Sequence, residues 1–353
     1  MKQPFERAHR LGLNAVPVYY SGGERIATFR RLPEPAGSPE DWVASASALP
    51  AAILEAGADP MTGITRLDDG TRLRDVVGAD PDGWLGGELA ASLRDGEVGV
   101  LVKLLDAGER LPVHCHPNRA AARELFGSRF GKTEGWLVLS SAPDAVVWLG
   151  CDEEVGHGEL LELIARQDID AMLALLNRVD VRVGDVLYVP AGTPHAIGEG
   201  VFVAELQEPT SYSILAEYRS LGLDEEQATS GLGWERAIGC FDLRACDSDD
   251  LVHRPSLVDE APGGRLERLF PDVADEYFRA FRLRVASEYT CTLVGYRVIV
   301  ATGGSAVLDW ASGAPSVTVR EGETWLAPYA LGALRATGSA ELLLAMPPPL
   351  LSM

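Results

Sequence analysis

The sequence predicts a mainly β protein made of two β-barrel domains of the jelly-roll kind, with a small helical insertion in the first. Three observations predict this fold. Short apolar runs rich in β-branched and aromatic residues alternate with Gly, Pro and Asp turns along much of the 353 residues. One strand-rich stretch precedes residue 222 and a second begins at Phe278, a pattern typical of internal duplication. A Gly-x₅-Pro pattern also occurs in each stretch, from Gly184 to Pro190 and from Gly322 to Pro328.

These stretches define three expected parts of the chain. An N-terminal metal-binding domain covers residues 1–221, a linker with a short helix covers 222–277, and a metal-free C-terminal domain covers 278–353. Residues 153–177 space leucine and isoleucine at three and four residues, which predicts an amphipathic helix or a helical pair inside the first domain. Within the linker, GWERAIGCFD is helix-like and residues 257–265 are expected to form a loop.

Composition restricts the possible partners and the compartment. The net charge is −21 with a pI of about 4.7, and no Lys/Arg cluster exists to replace counterions on phosphates. We therefore expect a small molecule as the partner, and neither nucleic acid nor a membrane. No run approaches the ~18 apolar residues of a membrane span. The five cysteines are odd in number and lack Cys-x-x-Cys spacing, so we expect reduced thiols in a cytoplasmic protein.

Two segments predict a metal site. His114 and His116 are two apart, so on a strand both side chains point to one face while Cys115 points away. His195 follows a Gly-Thr-Pro turn in the second segment. The spacings Gly-x₅-His-x-His and Gly-x₅-Pro-x-Gly-x-x-His match halves of the two cupin motifs. The alternative is three unrelated core or surface histidines. Seventeen residues separate His116 from Glu134, which predicts an inserted loop or short helix over residues 118–126. The proposed ligands are His114, His116, Glu134 and His195.

Lysine is rare in this chain and lies close to the predicted metal site. Of 31 basic residues only Lys2, Lys103 and Lys132 are lysine, and the last two flank the His-x-His strand. Lys103 interrupts a continuous apolar run, where an ammonium is costly unless it reaches a partner or a polar cavity. Both residues are candidate site residues, with chance placement as the alternative.

The segments LVKLLDAGERLPVHCHP, GKTEGWLVL and GDVLYVPAGTPHAIGEGVFVAELQ resemble the class I mannose-6-phosphate isomerases, in particular the short bacterial type. PEDWVASAS is similar to the Glu-x-Trp-x-x-Ser segment of that family, so the resemblance runs along the whole chain. It implies a cytoplasmic, zinc-dependent aldose–ketose isomerase of the bicupin fold, with one Zn²⁺ per chain and a sugar or sugar phosphate as substrate.

The resemblance also implies roles for single residues. His116, Glu134 and His195 match three zinc ligands of the family, and His114 stands in the place of a glutamine. Lys103 and Lys132 fall on two site lysines, and Glu205 falls on an acidic residue near the metal. Ser211 and Leu215, however, stand where the family carries Asp and Arg. If its strand continues, Arg219 lies on the same face and is a candidate replacement for that arginine.

The function expected from these residues is a metal-dependent isomerase, most naturally converting mannose 6-phosphate into fructose 6-phosphate or acting on a related sugar. The bound cation polarises the carbonyl, and Glu205 or Lys132 moves the proton between C1 and C2. Two alternatives stay open. Three histidines and one glutamate also hold iron in cupin dioxygenases. The missing Asp and Arg suit a non-catalytic sugar-binding protein.

Overall fold

The structure is a computed structural model that describes residues 3–50, 57–94 and 96–350. Within these ranges the protein is mainly β, as the sequence predicts. The strands are β1 (His9–Leu11), β2 (Ala15–Val16), β3 (Glu40–Val43), β4 (Leu101–Asp106), β5 (His114–Cys115), β6 (Glu134–Ser141), β7 (Val146–Cys151), β8 (Leu176–Asp180), β9 (Val186–Val189), β10 (His195–Ile197), β11 (Val201–Gln207), β12 (Ile214–Leu215), β13 (Val252–His253), β14 (Ser256–Ala261), β15 (Gly264–Arg268), β16 (Arg279–Val285), β17 (Glu288–Cys291), β18 (Arg297–Trp310), β19 (Val317–Arg320), β20 (Thr324–Ala327) and β21 (Leu334–Met346). The α-helices are α1 (Glu24–Arg30), α2 (Leu73–Ala79), α3 (Pro81–Leu85), α4 (Gly87–Ser92), α5 (Arg119–Phe126), α6 (His157–Arg166), α7 (Ile169–Ala174), α8 (Glu225–Ala228) and α9 (Trp234–Ala237).

Two sheets enclose the interior of the N-terminal part of the chain. A seven-stranded sheet has the order β13-β9-β6-β11-β4-β3-β2, and a five-stranded sheet has the order β12-β5-β10-β7-β8. Trp136 and Val203 from the first sheet share a buried cluster with Leu149 and Ile197 from the second. Every residue of β4 and β11 is buried. Both faces of the seven-stranded sheet are therefore covered, which explains the continuous apolar run around Lys103.

The other face of the seven-stranded sheet packs on a nine-stranded sheet. That sheet has the order β1-β20-β18-β21-β16-β15-β14, with β17 paired to β21 and β19 to β18. Leu137 and Leu206 share a buried cluster with Val298 and Leu343 across this contact. At Gly135 a Cβ atom would lie 2.6 Å from the ring of Phe270, which follows β15. Strand β6, which carries Glu134 of the candidate site, is thus closely packed against the segment between β15 and β16.

The helices appear where the sequence predicts them around the site. Helix α5 occupies the segment inserted between His116 and Glu134, and the Asn118 side chain caps it by accepting from the Ala121 amide. Helices α6 and α7 form the helical pair expected within residues 153–177. Their apolar residues pack on the five-stranded sheet. No helix in the described ranges is long and apolar enough to cross a membrane.

One expectation about the linker segment is wrong. Residues 257–265 were expected to form a loop, but β14 and β15 pair as a hairpin that extends the nine-stranded sheet. Every residue of β14 is exposed. The strand therefore lacks the alternation of apolar and polar residues by which a half-buried strand is recognised in a sequence. The division of the chain into domains stays a prediction.

Candidate active site

Three histidines converge at one end of the five-stranded sheet. Strands β5 and β10 are neighbours, and their register places His195 directly opposite His114. The ring centroids of these two lie 4.1 Å apart, and the His116 ring lies 4.9 and 5.0 Å from them. One ligand nitrogen from each ring lies within 4.8 Å of the others, and all three residues are buried. The structure thus brings together the histidines that the sequence placed on one face.

Hydrogen bonds set the tautomer of each ring. Each Nδ1 lies 2.8 Å from a backbone carbonyl, that of Pro112 for His114, of Tyr212 for His116 and of Thr193 for His195. A carbonyl accepts the Nδ1 proton and leaves the Nε2 lone pair for a ligand. Burial lowers the pKa of all three imidazoles, that of His116 to about 3. The rings are therefore neutral and able to bind a cation.

Glu134, the first residue of β6, adds a carboxylate to this cluster. Its Oε1 lies 3.1 Å from Nε2 of His116 and 3.0 Å from Nζ of Lys132, but among the described residues it has no hydrogen-bond partner of good geometry. Its Oε2 accepts a hydrogen bond from Trp136 Nε1. Burial opposes ionisation, but the Lys132 ammonium outweighs it and holds the pKa of Glu134 well below its usual range. A buried, ionised oxygen beside three imidazole Nε2 atoms fits a divalent cation.

Lys103 lies inside the same barrel and is paired on both sides. The register of the seven-stranded sheet places it opposite Glu205 on β11 and opposite Trp42 on β3. Its Nζ lies 3.3 Å from Glu40 Oε2 and 3.3 Å from Glu205 Oε1. Burial alone would lower the pKa of Lys103, but the two carboxylates raise it above its usual value. The side chain is therefore an ammonium held in place.

The two carboxylates beside Lys103 differ in protonation. Burial raises the pKa of Glu40, but Lys103 and hydrogen bonds from Trp42 and Tyr20 reverse this shift and lower it. Burial and the nearby charge of Glu134 raise the pKa of Glu205 to about 7. Within the part of the chain that the structure describes, Glu205 Oε1 also has no hydrogen-bond partner. A buried carboxylate that titrates near neutrality is suited to taking up and releasing a proton.

These groups share one cavity of about 60 Å³, several times the ~10–15 Å³ that one water needs. Its described lining contains most of the predicted site residues together with others that the sequence analysis did not assign to the site. The predicted ones are Lys103, His114, Lys132, Glu134, His195 and Glu205; the others include Tyr19, Tyr20, Glu40, Trp42, Ser211 and Ser213. Glu40 and Trp42 are two residues apart on β3, so their side chains lie on the same face of the sheet. This spacing could have identified Glu40 as a site residue.

The structure does not bring Arg219 to this cavity. Strand β12 ends at Leu215, and Arg219 lies in an exposed 3₁₀ turn, Arg219–Leu221, with its guanidinium over the Tyr218 ring. The expectation rested on continuation of the strand, and the strand stops. Ser211 lines the cavity, whereas Leu215 is buried away from its lining.

Comparison with known proteins shows which sequences the chain is similar to. No protein-family model matches it. It is 39% identical over 129 residues to the mannose-6-phosphate isomerase of Streptococcus mutans, an alignment that spans 36% of this chain and 39% of that protein. It is 28% identical over 244 residues to the mannose-6-phosphate isomerase ManA of Bacillus subtilis, covering 69% of this chain and 73% of the relative. The chain is thus similar in sequence to mannose-6-phosphate isomerases.

Solved structures agree with the fold. The mannose 6-phosphate isomerase from Bacillus subtilis superimposes with a TM-score of 0.74 at 19% identity, over 96% of this chain and 99% of that one. A mannose 6-phosphate isomerase bound with zinc and yttrium superimposes with a TM-score of 0.70 at 15% identity, over 96% and 99%. At such identities the match shows the fold of mannose-6-phosphate isomerases. The His114, His116 and His195 cluster of this chain could hold a metal ion.

Proposed function

We propose that this protein is a metal-dependent aldose–ketose isomerase of a sugar phosphate, converting mannose 6-phosphate into fructose 6-phosphate or acting on a related sugar. One observation carries the proposal. His114, His195 and an ionised Glu134 line the same small cavity as Glu205, a carboxylate whose pKa is raised to about 7, and His116 completes the cluster of three neutral histidines. A Lewis-acid site beside a near-neutral base is the pairing that enolisation of a sugar needs.

We assign the metal to His114, His116, Glu134 and His195, with one Zn²⁺ per chain. Three imidazoles and a carboxylate are ligands that zinc prefers. Glu134 Oε1 supports this set because it has no hydrogen-bond partner among the described residues. The Nδ1 bonds support it as well, because they direct each Nε2 towards a ligand. When bound, the cation polarises the substrate carbonyl and stabilises the negative charge that develops on its oxygen.

The protein's own groups would then handle the proton. Glu205 takes the proton from one carbon and returns it to the neighbouring carbon, because its carboxylate faces the cavity and titrates near neutrality. Lys103 stays an ammonium between Glu205 and Glu40, so it orients Glu205 and donates to substrate oxygens. Lys132 places a second ammonium beside Glu134. Arg219 has no place in this scheme, since it lies in an exposed turn.

The proposal extends to architecture. We infer a bicupin, with a metal-binding barrel within residues 1–221 and a metal-free barrel within 278–353. The segment 222–277 joins them and contributes the β14–β15 hairpin to the second. A small-molecule sugar phosphate as partner and a cytoplasmic location belong to the same proposal.

The test is direct conversion of mannose 6-phosphate into fructose 6-phosphate by purified, zinc-loaded protein. Activity that disappears with a chelator and returns with Zn²⁺ supports the proposal. Metal-replete protein that converts no sugar phosphate, or that consumes oxygen with a small organic substrate, contradicts it.

A further inference from the structure

Glu208 is a buried carboxylate just behind the cavity that the mechanism above does not use. It follows β11 and is 1% exposed. Its Oε1 accepts hydrogen bonds from Arg119 Nε at 2.6 Å and from the Gly131 amide at 3.3 Å, and its Oε2 accepts one from the Thr133 amide at 3.1 Å. Its own amide donates to the Thr133 carbonyl at 3.1 Å. Three donors therefore converge on its carboxylate, and its backbone amide adds a bond to the same segment.

These bonds fix the backbone on either side of Lys132. The Lys132 amide itself donates to the Pro117 carbonyl at 3.0 Å. Gly131 packs so closely on the start of α5 that a Cβ atom would lie 2.7 Å from the same Pro117 carbonyl oxygen. The segment 131–133 thus has no freedom to shift along or away from α5. This segment therefore positions the side chains of Lys132 and Glu134, whose Nζ and Oε1 atoms lie 3.0 Å apart in the cavity.

Arg119 extends the anchor to the C-terminal part of the chain. Besides the bond to Glu208, its guanidinium donates to the Glu276 carbonyl at 2.9 Å and to Glu276 Oε1 at 3.2 Å. It also stacks 4.6 Å from the centroid of the Tyr277 ring. One planar cation therefore connects the segment before β16 with the segment before β6.

We propose that Glu208 and Arg119 are positioning residues through which the C-terminal part of the chain fixes Lys132 and Glu134 in the site. The inference deepens the proposed function and rests on its assignment of Glu134 as a metal ligand. It gives the end of the linker, at Glu276 and Tyr277, a role in the chemistry of the first domain. It also explains why the long insertion between His116 and Glu134 is compatible with a well-formed site, since the insertion begins with the anchoring arginine.

The hydrogen bonds of the Glu208 carboxylate indicate which substitution tests the proposal best. Glutamine at position 208 keeps the shape of the side chain but replaces one acceptor oxygen by an NH₂ donor. The NH₂ group must face either the Thr133 amide or the Arg119 and Gly131 donors. In either orientation at least one buried hydrogen bond is replaced by a donor–donor contact. The matched control is Glu276→Gln, because Glu276 is half-exposed and its backbone carbonyl still accepts from Arg119.

The test compares Glu208→Gln, Arg119→Lys and Glu276→Gln with the wild type. Zinc affinity is measured by competition with a chromophoric chelator, and kcat and KM are measured with the best sugar substrate. We expect Glu208→Gln to lose roughly 10–100-fold in zinc affinity, as removal of a group supporting a ligand does, and to lose kcat with KM within about twofold. Arg119→Lys should lose less, and Glu276→Gln should match the wild type.

Folded Glu208→Gln with wild-type zinc affinity and kcat would overturn the inference, as would a loss of thermal stability alone. If that variant does not fold, Arg119→Lys decides by the same criteria. The two proposals fail separately. A wild type that binds zinc but isomerises no sugar removes the proposed function, while weaker zinc binding by Glu208→Gln would still establish the positioning role.

Discussion

Replacing Lys103 by methionine removes the cation between two buried carboxylates. The Lys103, Glu40 and Glu205 side chains are 4%, 7% and 3% exposed, and both N–O distances are 3.3 Å. Removing one partner of a buried ion pair costs about 3–5 kcal/mol of unfolding free energy. Glu40 keeps its hydrogen bonds from Tyr20 and Trp42. We therefore expect Lys103→Met to lower the free energy of unfolding by about 3 kcal/mol at pH 8, the lower end of that range.

The loss should depend on pH. Lys103 helps hold the pKa of Glu40 below its usual value, and an ionised carboxylate of this kind stabilises the fold above its unfolded pKa of ~4.3. That stability is lost as the pH falls through the lower folded pKa. Without Lys103 the pKa of Glu40 rises above the unfolded value, so the penalty grows as the pH rises. The variant and the wild type should therefore differ most at pH 8 and less at pH 5.

Urea unfolding at both pH values measures this difference. Arg335→Met is the control, because it breaks a surface pair with Asp309 in which the arginine is 54% exposed. Such a pair is worth about 0–1 kcal/mol. A Lys103→Met protein as stable as the wild type at pH 8, or equally destabilised at both pH values, would refute the charge assignment.

Four further outcomes are expected. The kcat/KM should rise with pH through an inflection at or below about 7, because Glu205 must be ionised and a bound cation lowers its pKa. Glu205→Gln should abolish this rise of kcat/KM with pH. Zinc at 100 times its Kd should add about 2.7 kcal/mol to the free energy of unfolding, and His195→Ala should reduce this increment. Because Ser211 and Leu215 replace an acid and an arginine of the family, a sugar panel should contain a substrate turned over faster than mannose 6-phosphate. Gly135→Ala should cost about 1–3 kcal/mol through overpacking against the Phe270 ring, measured by urea unfolding.

The sequence allowed the histidine cluster to be predicted because two spacing motifs mark it. Strand parity places His114 and His116 on one face, and the Pro-Gly turn before His195 fixes where the third ring enters. A lysine within a buried run requires a partner, which pointed to Lys103 without identifying Glu40. That partner lies on a strand distant in the sequence, and pairing between distant strands has no local signal.

Other features depend on contacts that a single sequence does not reveal. Arg219 was expected on a strand face, but β12 ends at Leu215 and the chain turns. The β14–β15 hairpin is too polar to show strand periodicity. Glu208 belongs to no sequence motif. Its position became evident only from the structure, in which Arg119, Gly131 and Thr133 donate hydrogen bonds to its carboxylate.

The most direct measurement of the central claim is transfer of solvent deuterium into the sugar. Zinc-loaded protein is incubated in D₂O with mannose 6-phosphate and with fructose 6-phosphate, and NMR follows label at C2 and C1. We expect label with the wild type, and none after chelation or with Glu205→Gln. Metal-replete wild type that introduces no label into these or any other sugar of the panel would contradict the account and identify a sugar-binding protein without isomerase chemistry.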